Sequence, residues 1–307
     1  MPTLLAVTLN PAIDRTARVS RLELGVVLRP TTVAALAGGK GVNAARAARR
    51  LGAQVTTTGF AGGHAGRWLV ASLREEGLDP RFVEVAPETR TTYVTVDEAG
   101  RSMLVYEPAA PLAPTDLVAL LALLRGELLG AADRVVASGS VPPGLGDDAY
   151  VLVVRACHDA GRPCLVDVGG AVLRSALAAR PDVVKISRDE AVDAGFEPIA
   201  LAAARSIAAA GAGLAVVTDG RRGAAAATAT DAWQVTVPGI RAVNAVGSGD
   251  AFDAGLSVAL AGGGSIEEAL AMGAAAGTAN AETSTGGDIT AERVREFGRS
   301  VRVMRVR

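Results

Sequence analysis

Short apolar runs recur along this chain, separated by longer alanine-rich stretches, and no other feature restricts its fold so severely. Leu4–Leu9, Val55–Phe60, Arg134–Ser138, Cys164–Asp167, Val183–Ile186 and Leu214–Thr218 are in the main apolar at successive positions rather than alternate ones. A strand that alternates buries one face, whereas a strand apolar throughout has to be covered on both. Between these runs lie helical patterns around Asn43–Leu51, Gly66–Glu76, Thr115–Leu124, Asp147–Ala160, Ala171–Ala179 and Ile199–Ala210. The alternation predicts a three-layer α-β-α arrangement around a mostly parallel, doubly wound sheet. Ligands of such sheets bind beyond the carboxyl ends of the strands.

Two regions break the rhythm. Over 13–30 and 81–106, β-branched residues alternate with polar ones and no helix intervenes. Thr91–Val96, a turn at Glu98-Ala99-Gly100 and Ser102–Tyr106 read as a hairpin. The two regions are expected to form a small β lid on a single α/β domain spanning residues 1–307. Exposed strand edges on such a lid favour a homodimer that clasps through it.

Composition excludes several partners. Lys and Arg number 31 against 32 Asp and Glu, so the chain lacks the positive footprint that binds nucleic acid or anionic membrane. A small molecule is the expected ligand. Pro198–Thr218 is long enough to span a bilayer, but Arg205, Gly211 and Gly213 divide it into a helix and a buried strand. Only Cys157 and Cys164 could be oxidised, and Asn10 and Asp14 follow the first apolar run too soon for a signal peptide. A cytoplasmic protein is expected. His64 and His158 lack the companions of a metal site and read as structural.

Two glycine-rich segments carry the chemistry. Gly247-Ser248-Gly249-Asp250 opens an apolar helix read as Ala251–Leu260. Glycines at a helix mouth let backbone N–H groups converge on a phosphate, and a carboxylate held there can accept a proton from an attacking hydroxyl. The competing reading is a turn in which Asp250 caps the helix. In Gly38-Gly39-Lys40-Gly41-Val42-Asn43 the glycines admit a ligand close to the backbone, Lys40 offers a point charge and Asn43 could bond hydroxyls. A connector capped by Asn43 is the plainer alternative. A dinucleotide fingerprint would need glycine where Phe252 stands, and a Walker loop would need Ser or Thr where Gly41 stands.

These two segments, some two hundred residues apart, resemble the signature regions of the ribokinase-like (PfkB) sugar kinases. Thr8–Asp14, Thr89-Arg90, Ser138–Gly144 and Thr218–Gly223 resemble further family segments, so the likeness covers nearly the whole chain. The opening Thr-Leu-Asn-Pro-Ala-Ile-Asp, Gly-Gly-Lys-Gly and Thr-Arg segments resemble the phosphosugar branch, which includes 1-phosphofructokinase and tagatose-6-phosphate kinase. The resemblance implies transfer of a phosphoryl group from ATP, with Mg²⁺, to a phosphorylated ketohexose, fructose 1-phosphate first and tagatose 6-phosphate or fructose 6-phosphate next. Asp250 would be the base, with Gly247, Ser248 and Gly249 lending N–H groups to the phosphoryl. Asp14, Gly39, Asn43 and Ser138 would border the sugar, and Arg90 and Lys40 would meet its phosphate. Lys185, Thr218, Gly220, Gly223 and Asn280 would border the nucleotide, and Glu190 would hold magnesium through water. The chain departs from the family pattern where Ser187 replaces the asparagine that helps organise that water, and where Ala245 replaces Thr or Ser. Two rivals stand beside this reading: a kinase of an unphosphorylated sugar or nucleoside, in which Arg90 and Lys40 would be incidental, and, from Ser187 and Ala245, a sugar-phosphate-binding protein without turnover.

Overall fold

The computed structural model describes residues 1–306. A sheet of 11 strands runs through its centre, in the order Arg302–Val306, Ala232–Thr236, Ala224–Ala227, Leu214–Thr218, Val183–Ser187, Cys164–Asp167, Arg134–Ser138, Thr3–Thr8, Gln54–Gly62 and Asp79–Pro80, with Val83–Val85 also paired to Gln54–Gly62. From Leu214–Thr218 to Asp79–Pro80 every pairing is parallel, and beyond Leu214–Thr218 the remaining three strands are antiparallel. Successive residues feed opposite layers. Leu5, Val7 and Leu9 enter the core on one face, Leu4 and Ala6 the core on the other. The central strands are therefore buried on both sides, which is why their runs lack alternation.

Small residues set the packing on one side. The helices Ser248–Ala261 and Ile266–Ala281 lie so close that a Cβ added to Gly255 would stand 2.6 Å from the Met272 carbonyl oxygen. Ser187 and Ser265 each accept a bond from the N–H three residues on, and the Glu at that position bonds back, so the helices Arg188–Asp193 and Ile266–Ala281 start in capping boxes. Among the described residues no helix is long and apolar enough to cross a membrane. Cys157 and Cys164 are buried free thiols.

A second sheet of four strands has the order Thr32–Gly38, Ala12–Val19, Thr91–Asp97, Ser102–Tyr106. Its outline differs from the expected lid in two respects. Thr32–Gly38 belongs to it, although this segment lies beyond residue 30; alanines at 34, 35 and 37 disguise it as helical. Conversely, Val83–Val85 leaves the small sheet and pairs with the main one.

Candidate functional site

The carboxyl ends of the central strands bring Thr8, Ser138, Asp167, Ser187 and Thr218 to one rim. Here the two glycine segments meet. Gly247 adopts φ 82, a left-handed conformation that turns the chain into the helix, and a Cβ on it would strike Gly286. The helix therefore starts at Ser248, three residues before the expected Ala251. Ser248 donates its N–H back to Ala245 O at 3.1 Å, and Ala251 makes the first helical bond, to Gly247 O at 2.9 Å. That leaves the N–H groups of Gly249 and Asp250 at the positive end of the helix, a ready anion site.

Asp250 does not cap this helix. Its Oδ2 accepts from Asn43 Nδ2 at 2.9 Å, across 207 residues of sequence. Asn43 is likewise no cap: the helix Lys40–Arg50 begins with Gly39 as its N-cap, and Asn43 sits inside it, buried. Burial pushes the Asp250 carboxyl up to about 6, against the pull of Lys185 and the Asn43 hydrogen bond. Such a group is ionised at neutral pH yet close enough to it to accept a proton.

Beneath Asp250 lies a buried charge network. Lys185 Nζ is 2.6 Å from Asp167 Oδ2 and 3.4 Å from Asp253 Oδ2, and a Cβ on Gly249 would come within 2.9 Å of it. Oxygens of Asp167, Asp250 and Asp253 come within 4.8 Å of one another, and the Lys185 ammonium supplies their cation. Burial raises the Asp253 carboxyl well above its ordinary range. Lys185 was expected beside the nucleotide; it is instead sealed below the mouth, 2% exposed. Lys40, expected on the substrate's phosphate, has its amine at 3.1 Å from Asp167 Oδ1 and 2.7 Å from Glu190 Oε1. Its charge is committed to those carboxylates.

On the other side of the mouth, Asp14 lies against Gly38, where any Cβ would fall 2.0 Å from its carboxylate. Glycine is required there by contact. Thr92 donates to Asp14 Oδ1 at 2.5 Å, and burial raises the Asp14 carboxyl while Arg46 and Arg90 oppose the rise. Arg90 Nε donates to Asn10 Oδ1 at 3.1 Å, and Asn10 Nδ2 donates to Ser140 Oγ at 2.8 Å. Arg90, Asn10, Pro11 and Thr89 line a small hollow beside Asp14's strand. Gly39, with φ 109, stands over Thr8 and Pro11 at the same edge. Ser138 differs from expectation: it is wholly buried below Gly41, and Ser140 takes its place at the surface.

A larger cavity of about 620 Å³ adjoins, lined by Lys40, Ser140, Asp147, Gly169, Val172 and Glu190. Glu190 Oε1 takes Lys40, while Oε2 accepts from Ser187 N at 2.9 Å and Ser187 Oγ at 2.8 Å. Lys40 and Ser187 hold this carboxyl low despite its burial and the nearby Asp167. Three of roughly four acceptor sites are used, so one remains for a water of a hydrated cation, a hard-oxygen donor suited to magnesium. Ser187's hydroxyl is tied into the helix cap, so it does not take over the water-organising part of the asparagine it replaces.

Two expected nucleotide contacts are structural. Asn280 is fully buried; its Nδ2 donates to Val246 O at 2.9 Å and its Oδ1 accepts from Gly287 N at 2.7 Å. It pins the glycine mouth to the turn before the last helix. Gly223 is needed because a Cβ would collide with Val235 O, whereas Gly220, with φ 54, faces open space beside Thr218. Arg222 and Arg188 both pair with Asp219, bracing that loop.

Asp167, Asp253, Asn10, Thr92, Arg46 and Glu76 were not foreseen. Asp167 carried a usable signal: a carboxylate closing a wholly apolar strand has to be paired or functional. Asp253 and Arg46 follow Asp250 and Asn43 by three residues, which is one helical face.

A family model described as pfkB family carbohydrate kinase matches residues 6–292. Phosphofructokinase-2 from Escherichia coli, in its complex with fructose-6-phosphate, is 27% identical with a TM-score of 0.85 over 98% of this chain and 99% of that one. The tetrameric inhibited form of the same protein gives 27% identity and a TM-score of 0.87 over the same shares. A Thermotoga maritima protein described as a possible 1-phosphofructokinase is 24% identical, with a TM-score of 0.84 over 99% of this chain and 100% of that one, and shares the fold.

Proposed function

The chain belongs to the pfkB family of carbohydrate kinases, and from that membership we propose that it transfers the terminal phosphoryl group of ATP to a hydroxyl of a phosphorylated ketohexose. The observation that carries this reading is the hydrogen bond that joins Asn43 to Asp250, because it brings the two glycine segments together around the carboxylate we take as the base. The sugar's hydroxyl oxygen attacks the terminal phosphorus, the bond to ADP breaks, and Asp250 takes the hydroxyl proton. Base catalysis of this kind is worth about 10²–10⁴-fold. The free N–H groups of Gly249 and Asp250 border the transferring group, where positioning and charge stabilisation supply most of the acceleration.

Asp14 and Asn43 hold sugar hydroxyls beside Gly39, and Arg90, steered by Asn10, meets the phosphate already on the sugar. Thr218 and Gly220 border the nucleotide. Magnesium, when bound, neutralises charge on the phosphates, and Glu190 is the residue that would hold it through water. Replacing Glu190 with Gln should then raise the magnesium concentration needed for half-maximal rate; an unmoved titration would refute that placement. The small sheet is the lid. Met103, Leu104, Val105 and Tyr106 on its edge strand, with Tyr93 on the strand beside it, are apolar and exposed, which suits pairing with a second copy. Sedimentation at micromolar concentration is expected to give the dimer mass, and a monomer would contradict the pairing.

The sugar is fructose bearing one phosphate: the opening segments place the 1-phosphate first, and the Escherichia coli complex speaks for the 6-phosphate. ADP release across fructose, fructose 1-phosphate, fructose 6-phosphate and tagatose 6-phosphate tests this. The highest kcat/KM should fall on a fructose phosphate; release fastest with an unphosphorylated sugar or nucleoside, or with none, would overturn it.

A further inference from the structure

One buried side chain touches every part of the mouth without reaching a ligand. Arg46, three residues after Asn43 on the helix Lys40–Arg50, is 6% exposed. All five of its N–H donors are used. Nη1 donates to Asn43 Oδ1 at 3.1 Å and to Gly286 O at 3.0 Å, Nη2 to Ala37 O at 2.6 Å and to Glu76 Oε1 at 2.9 Å, and Nε to the other Glu76 oxygen. Only a guanidinium presents five donors in a fixed plane.

Each bond has a consequence for the reaction site. Asn43 has two ends, an amide NH₂ and a carbonyl oxygen. With Arg46 donating to the oxygen, the NH₂ is left facing Asp250; the flipped amide would set oxygen against carboxylate and nitrogen against guanidinium. The Gly286 carbonyl belongs to the turn on which Gly247 rests, and Ala37 O lies at the end of the strand whose next residue, Gly38, packs on Asp14. Glu76 neutralises the guanidinium and fixes it from the far side.

We propose that Arg46, braced by Glu76, is a positioning residue for phosphoryl transfer: it commits the Asn43 amide to Asp250 and seats the turn under Gly247. The inference rests on Asp250 being the base. It concerns this chain's own geometry, because Arg46 touches neither the reacting atoms nor the cavity.

Arg46→Lys keeps the charge and loses the fork. It should lower kcat about 10–100-fold, the scale of lost hydrogen bonds to charged groups, while the KM for ATP, which Asn43 does not touch, stays within about threefold. Because the Asn43 bond favours the ionised form of Asp250, losing it should move the acidic limb of the kcat–pH profile upward by about half to one unit. Asp250 is also faced by Lys185 from the strand Val183–Ser187, Asp167 from Cys164–Asp167, Lys40 from Lys40–Arg50 and Asp253 from its own helix, none of which the substitution touches. In an Asn43→Ala background Arg46→Lys should shift the limb no further, since a residue acting through Asn43 has nothing left to orient. Glu76→Gln, milder for folding, should move kcat and the limb in the same direction by less. Asp250→Asn separates the two claims. If that variant turns over normally, the base assignment fails and this proposal with it. If it is inactive while Arg46→Lys and Glu76→Gln alter only Tm, leaving kcat and the limb unmoved, Arg46 is structural and the proposal alone is overturned.

Discussion

Asp250 shows how the reaction site sets one residue against the stability of the rest. Its carboxyl, ordinarily near 3.8, is pushed by burial to about 6 in the folded protein. Across that window the folded state binds the proton more tightly than the unfolded one, so stability falls as pH rises and the loss is complete above the folded value. Asp250→Asn has no proton to bind. Its unfolding free energy relative to the native protein should therefore improve by on the order of 2–3 kcal/mol between pH 4 and pH 7. Urea melts at both pH values measure this, and a difference that does not change with pH would show that the carboxyl is not raised. Arg90 presents the opposite case, a half-buried cation whose Nε and Nη2 donate to the side-chain and backbone oxygens of Asn10 and which lines the hollow beside it. Arg90→Ala should raise KM for the sugar phosphate about 10–150-fold with kcat little changed, the scale of a lost charged hydrogen bond. An unaltered KM would mean that the phosphate lies elsewhere. Among single residues the motifs gave a neighbourhood and not the partners. Asp14 lies against Gly38 and Asn43 against Asp250, whereas Lys40, Lys185, Ser138 and Asn280 were assigned to ligands and the structure gives them to carboxylates, backbone or the interior. A motif identifies which residues gather at the rim. Which of them faces the cavity is decided by packing at a few ångströms, as between Ser138 and Ser140.

Elements were legible where periodicity was strong and hidden where alanine dominated. The six apolar runs are all strands of the main sheet, because burial on both faces leaves an unmistakable signature. Ala224–Ala227 is a buried strand of four alanines, a residue that strands disfavour; antiparallel ladders on both sides, to Leu214–Thr218 and Ala232–Thr236, hold it in the sheet with small side chains. The same economy governs the helices Ser248–Ala261 and Ile266–Ala281. Gly255→Ala would place a methyl 2.6 Å from the Met272 carbonyl oxygen, a backbone atom that cannot move aside cheaply. Overpacking of that kind costs about 1–3 kcal/mol. Scanning calorimetry should find Tm lowered by several degrees, while Gly126→Ala, with no atom within 4 Å of its added carbon, should stay within about one degree of the native value. Equal Tm values for the two variants would contradict the close helix pairing.

At the scale of the molecule, the sheet works as a device for convergence. Residues at 14, 43, 90, 190 and 250 share one rim because parallel strands end on the same side, and the crossover helices return the chain to repeat the pattern. This convergence was predictable from strand order alone. The make-up of the small sheet was less so, since the alanine-rich Thr32–Gly38 shows no strand pattern in the sequence and is recognised only from its pairing with Ala12–Val19. The buried network was illegible for a related reason: Asp167, Lys185, Asp253 and Arg46 come from four separate elements, and their pairing exists only after folding. The account as a whole depends on two glycine segments forming one catalytic mouth around one carboxylate. The most direct test is the steady-state turnover of Asp250→Asn, with ATP and sugar-phosphate affinities measured by calorimetry on the same preparation. The account predicts a fall in kcat of about 10²–10⁴-fold with both affinities within a few-fold of native. Turnover within threefold of the native enzyme would contradict it.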